Sequence, residues 1–112
     1  MKEPIIIRGN ELKENDYGAT KVTDIFKNDF FNVAKVRKVG DDIKTGYDAE
    51  SDVAYYVLEG EGDCVINGKN YHLKKGDLVF YQRGIQYKHL KGLTLLAIAI
   101  PPFDRKKRVY TE

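Results

Sequence analysis

Residues 55–89 read YYVLEGEGDCVINGKNYHLKKGDLVFYQRGIQYKH, and this stretch decides the fold. Tyr55-Tyr56-Val57-Leu58 is an aromatic and β-branched run, and Glu59-Gly60-Glu61-Gly62 follows it with two glycines that permit a turn. Asp63-Cys64-Val65-Ile66 makes a second short strand, closed by Asn67-Gly68. An Asn-Gly pair between apolar runs signals a tight hairpin, because both central residues of a type I′ turn need positive φ. Tyr71-His72-Leu73 continues the return strand, Lys75-Gly76-Asp77 turns again, and Leu78-Val79-Phe80-Tyr81 makes a fourth strand before the break at Arg83-Gly84. Four short strands separated by regular turn signals predict an antiparallel all-β sandwich or barrel.

Outward from this stretch, the chain of 112 residues has room for one domain with a modest core. Charged residues at 32% and a net charge of +2 give no global field that would argue for nucleic acid. One cysteine excludes an intramolecular disulfide; with no long apolar run or signal peptide, the expectation is a cytoplasmic protein without a membrane partner. Pro4-Ile5-Ile6-Ile7 is a short β-branched run suited to a sheet edge or a second subunit, and 10–20 reads as a loop with a turn of helix. Val22 to Phe26 and Phe30 to Val39 are strand candidates on either side of a turn, and 40–52 leads toward the site as strand or loop. Leu93 to Ile100 is almost continuously apolar, as for a strand buried on both faces or set at a dimer contact, and Pro101-Pro102 ends it.

The motifs Glu59-Gly60-Glu61-Gly62, Asn67-Gly68 and Gly76-Asp77, with Val79, Tyr81 and Gly84 after them, resemble the core of a small single-domain cupin. The resemblance reaches from about Val33 to Pro101-Pro102-Phe103-Asp104 and implies a double-sheet jelly-roll barrel, often with a metal or small-molecule site in its mouth. It divides the chain into N-terminal strands and loop at 1–30, packing on the barrel or on a dimer partner, a cupin barrel at 31–104, and a basic tail at 105–112. Small cupins also commonly pair through their sheets, which implies a homodimer.

Metal-binding cupins place two histidines one residue apart, then a glutamate, then a third histidine beyond the Gly-Asp strand. Alternate residues of a strand share a face, so such a pair can hold one cation. Aligned without gaps, this sequence has Gly46 and Asp48 at the paired histidines, Val53 at the glutamate and Tyr87 at the third histidine. The expectation is therefore no metal and no cofactor. Asp48, Glu50 and Asp52 form an acidic cluster that would be a poor site for zinc or iron without an adjacent histidine.

Strand parity points Val53, Tyr55 and Val57 inward, with Cys64, Ile66, Val79, Tyr81, Tyr87 and His89. The resulting expectation is a ligand pocket with Asp48 at the rim and Tyr55, Cys64, Tyr81, Tyr87 and His89 inside. A core simply filled with tyrosines is the alternative, and several hydroxyls there would each need a partner. His89 and Tyr87 are the candidates for proton transfer, although an inward histidine is often only a satisfied core group. Cys64 reads as a small buried apolar side chain, and His72 as a surface residue beside inward Tyr71 and Leu73. Arg105-Lys106-Lys107-Arg108 reads as solvated. Three functions remain open: a module binding a small polar ligand without metal, a metal-free isomerase or epimerase acting on a sugar-like metabolite through His89 and Tyr87, and a structural cupin with a filled site.

Overall fold

The computed structural model describes residues 2–111. Its described residues form ten strands: β1 (Glu14–Asp16), β2 (Thr20–Lys27), β3 (Asn32–Lys38), β4 (Gly46–Asp48), β5 (Asp52–Ile66), β6 (Lys69–Lys74), β7 (Leu78–Tyr81), β8 (Tyr87–His89), β9 (Leu93–Ile100) and β10 (Arg108–Tyr110). All pair antiparallel. One sheet runs β1-β2-β3-β9-β5-β7 and the other β6-β5-β8-β4-β10, so β5 belongs to both and the two curl into a jelly-roll barrel. No helix among the described residues is long and apolar enough to cross a membrane.

The expected turn at Glu59–Gly62 is absent. Residues 52–66 form one strand of 15 residues whose pairing with β9 slips between Val57 and Glu59. The two glycines serve this passage instead of a reversal. Gly60 sits at φ +77, where a Cβ would lie 2.1 Å from the carbonyl oxygen of Gly92; one on Gly62 would lie 2.7 Å from that of Lys91. Glycine is needed there because another backbone crosses against it, and the irregularity bends β5 from one sheet into the next. The Asn67-Gly68 hairpin forms as read, with φ +49 and +81 and Ile66 opposite Lys69.

Alternation sets the core. On β9, Leu93, Leu95, Ala97 and Ala99 are buried, while Thr94, Leu96 and Ile98 are half-buried and Ile100 is exposed. Val57, Leu93 and Leu95 pack together at one end, and Val53, Ala97 and Ala99 at the other, with Val36 and Tyr55 touching both groups. β9 is thus fully buried on one face and half-buried on the other. Leu78, Phe80 and Tyr56 are exposed on the neighbouring strands. Ile5, Ile6 and Ile7 are exposed and form no strand, and Tyr71, expected to point inward, is 42% exposed.

The segment read as a basic tail belongs to the barrel. Residues 105–107 make a 3-10 turn capped by the Asp104 carboxylate, and β10 pairs with β4, setting Arg108 opposite Asp48 and Tyr110 opposite Gly46. Arg108 turns toward buried Asp48 rather than solvent, while Lys107 pairs with Glu50 at the surface.

Candidate functional site

Tyr87 and His89 on β8 and Tyr55 on β5 line an open cavity of about 1050 Å3, together with Ala34, Val36 and Lys38 of β3 and Ala97 and Ala99 of β9. The interior is therefore not filled. All the positions assigned inward by parity on β5 and β8 are buried or half-buried, so the register reading holds.

The polar groups on this wall are hydrogen-bonded in series. Tyr87 donates from its hydroxyl to Asp48 Oδ2 at 3.1 Å, and its oxygen lies 3.0 Å from Tyr55 Oη. A phenol has one proton, so with the Tyr87 proton on Asp48 the bond between the two tyrosines is donated by Tyr55. Its donor spent, the Tyr55 oxygen has acceptor capacity left. Arg108 completes the array from the far side, with Nη1 3.3 Å from Asp48 Oδ1 and its guanidinium 4.6 Å from the centroid of the Tyr87 ring. The Tyr81 ring stacks on Tyr87 at 3.8 Å, and Tyr81 Oη lies 3.0 Å from His89 Nε2. The Tyr55 ring meets His89 edge-on at 4.8 Å.

Burial sets the protonation of this array. Desolvation pushes the Tyr55 phenol up to about 12, reinforced by the Asp48 charge, and raises Tyr81 and Tyr87 well above the ordinary phenol value. Desolvation also lowers His89 to about 4, with Lys38 and Arg108 adding to the fall and Asp42 opposing it. At neutral pH the tyrosines are protonated and His89 is neutral, with one ring nitrogen donating and one accepting.

A second polar cluster, partly buried, holds β8 in place. Asp42 accepts from the His89 backbone N–H at 2.9 Å and returns its own N–H to the His89 carbonyl. Its other oxygen pairs with Lys38, which also bonds the Thr20 hydroxyl. Lys38 is only 4% exposed. It continues the inward phase of Ala34 and Val36, a signal that strand alternation alone carried and that its charge obscured.

Sequence reasoning placed several residues differently. Asp48 is 5% exposed and lies behind Tyr87 rather than at the rim. Cys64 is fully buried and faces Tyr81, away from the cavity lining, and burial pushes its thiol up. Tyr81 likewise stands in the second layer, while Tyr55, Tyr87 and His89 line the cavity. The acidic cluster does not exist as such: Asp48 pairs with Arg108, Glu50 with Lys107 and Asp52 with Arg83. Arg108, dismissed as tail, is central.

The family described as Cupin domain matches residues 37–91. The domain is a small cupin. An uncharacterized protein of Aquifex aeolicus is 38% identical over 69 residues, 59% of this chain and 57% of that one, so the match spans little more than half of the relative. Among solved structures, Pac13 of Streptomyces, described as a nucleoside dehydratase, superposes with a TM-score of 0.87 at 14% identity, covering 98% of this chain and 92% of its own. KdgF from a Halomonas species gives 0.81 at 13% identity, covering 93% and 99%, and an RmlC-like cupin from Shewanella frigidimarina gives 0.76 at 20%, covering 93% and 95%. These likenesses show the fold.

The metal that many cupins carry does not fit the residues present. Gly46 has no side chain, and a Cβ there would lie 2.7 Å from the Val109 carbonyl oxygen because β10 occupies that space. Asp48 is committed to Tyr87 and Arg108. Among the described residues no group of three or more His, Cys, Asp or Glu side chains is placed to share a cation.

Proposed function

We propose that this cupin binds a small hydroxylated metabolite of nucleoside or sugar size and handles the protons of its hydroxyl groups without a metal. The observation that carries the reading is the Tyr55–Tyr87–Asp48 array at the wall of an open cavity. Its donors are spent toward the buried carboxylate, so Tyr55 offers the ligand an oxygen acceptor, which suits a ligand O–H or N–H. The aromatic faces around it supply stacking area, and the cavity volume accommodates a small drug-sized ligand. Pac13, with the same fold, has been solved with uridine in variants that replace tyrosine by phenylalanine or histidine by glutamine, the two side-chain types concentrated on this wall.

A catalytic version of the reading is favoured by the contrast on β8. His89 is held neutral on the cavity wall beside protonated Tyr55 and Tyr87, whose own protons are engaged toward Asp48, so His89 is the wall's candidate for exchanging a proton with the ligand. The class of reaction this serves is proton-coupled isomerisation or loss of water from a sugar ring.

Titration of nucleosides and neutral sugars by calorimetry tests the proposal. At least one compound should bind the native protein, and Tyr55→Phe, which keeps the ring and removes the oxygen, should weaken it by about tenfold, the worth of one hydrogen bond at about 1.4 kcal/mol. Tight binding that survives Tyr55→Phe unchanged would remove the array from the site.

A further inference from the structure

Resting on that reading of the cavity, we infer that its ligand carries an oxyanion, a carboxylate or a phosphate, and that Arg105 receives it at the mouth. Of the other four arginines, three each hold a carboxylate (Arg37 with Glu14, Arg83 with Asp52 and Arg108 with Asp48), and Arg8 does not line the cavity. Arg105 has no carboxylate partner among the described residues. Its guanidinium instead sits over the Tyr17 ring, with Cζ 3.8 Å from the centroid, and both residues line the cavity.

The stacking matters for what Arg105 can do. A guanidinium resting on an aromatic face has its N–H groups directed outward in its own plane, fixed in orientation and spared part of the entropy that a free arginine loses on binding. That plane is the geometry that meets a carboxylate or phosphate through two parallel hydrogen bonds. Two segments far apart in sequence build the device. Tyr17 follows β1, and Arg105 opens the 3-10 turn capped by Asp104, so the position of Arg105 is set by the fold.

The charges around the cavity agree with an anionic ligand. Five basic side chains line it (Lys27, Lys38, Lys44, Arg105 and Arg108) against three acidic ones (Asp24, Asp41 and Asp42). Lys38 answers Asp42, and Arg108 answers Asp48 behind the wall. Asp24 and Asp41, the latter accepting from the backbone N–H of Lys91, are the two charges left to oppose Lys27, Lys44 and Arg105, so the lining keeps a basic excess. Exposed Arg105 and Tyr17 stand at the solvent end of the lining, and buried Tyr87 and His89 at the inner end. A ligand with hydroxyls at one end and an oxyanion at the other, such as a sugar acid or a nucleoside monophosphate, matches both.

Calorimetry with two matched pairs tests this: uridine against uridine 5′-monophosphate, and glucose against glucuronate. In at least one pair the anionic member should bind the native protein about tenfold more tightly at low salt, and the pair that shows the difference tells phosphate from carboxylate. Arg105→Gln should erase that advantage while leaving the neutral member's affinity unchanged, with circular dichroism confirming that the exposed substitution leaves the fold intact. Equal binding within both pairs, or an equal loss for both members in Arg105→Gln, would overturn the anion inference and leave the hydroxyl-binding cavity standing. No binding by any of the four would overturn both.

Discussion

The two histidines of this cupin sit one register step apart and behave oppositely. His72 on β6 pairs across from Asp63 of β5, and His89 on β8 pairs across from Cys64, the next residue of the same strand. They project through opposite faces of one sheet. His89 is buried against Tyr81 and Tyr55 and lowered to about 4, chiefly by desolvation. His72 is exposed between Asp63 Oδ1 at 2.6 Å and Glu61 Oε2 at 3.1 Å, and hydrogen bonds to those carboxylates, Asp63 first, raise it above the ordinary imidazole value. One residue type becomes a neutral hydrogen-bonding wall on the inner face and a titrating surface group on the outer one. The side of the strand decides, through solvent and neighbouring charge.

The largest effect expected from this difference lies at Arg108. Replacing it by Met leaves Asp48 buried beside Tyr87 without its cation, and should destabilise the fold by about 3–5 kcal/mol in urea denaturation. Adding Asp48→Asn should recover much of that loss, because the uncompensated charge goes with it. The outer-face control is Lys107→Met: its pair with Glu50 is more than half exposed on both sides, so the change should stay within about 0.5 kcal/mol. Equal small effects from the two substitutions would erase the inner–outer distinction.

That distinction was legible in the sequence for the strands and only partly for the site. Alternation gave the inward set Val53, Tyr55, Val57, Tyr87 and His89, because residues two apart on a strand share a face, although the inward parity of β5 changes across the slip between Val57 and Glu59. Gly60 and Gly62 misled for a physical reason: glycine serves a reverse turn and a close backbone crossing alike, and which it serves depends on Lys91-Gly92, some thirty residues away. Arg108 and Lys38 were missed because charge marks a residue as solvated until its partner is known. Asp48 lies 60 residues before Arg108, and only the pairing of β4 with β10 joins them.

His89 supplies the next effect in size. The unfolded chain takes up this proton near 6.5, and the folded chain resists until about 4, so between those values the unfolded state binds more protons. Stability from this group is intact above 6.5 and falls as the pH drops through 6.5 toward 4, by up to about 3 kcal/mol in all. Denaturation midpoints measured across that window should slope downward toward acid in the native protein and flatten in His89→Gln. Parallel curves for the two proteins would mean that His89 reaches water.

The smallest effect separates the faces most directly. In His72 the raised value gives the opposite sign: its stabilisation is present below 6.5 and is lost as the pH rises through the raised folded value. It should be slight, because His72, Asp63 and Glu61 are all more than a third exposed and solvent screens them. A nuclear magnetic resonance titration of the two imidazole Cε1–H signals makes the comparison without unfolding anything. His72 should show its midpoint above 6.5 and His89 below it. High salt should draw the His72 midpoint back toward the ordinary value by screening Asp63 and Glu61, and should leave His89 in place, because burial rather than charge is the main cause there. Two midpoints that moved together with salt would show that both rings lie in the same solvent.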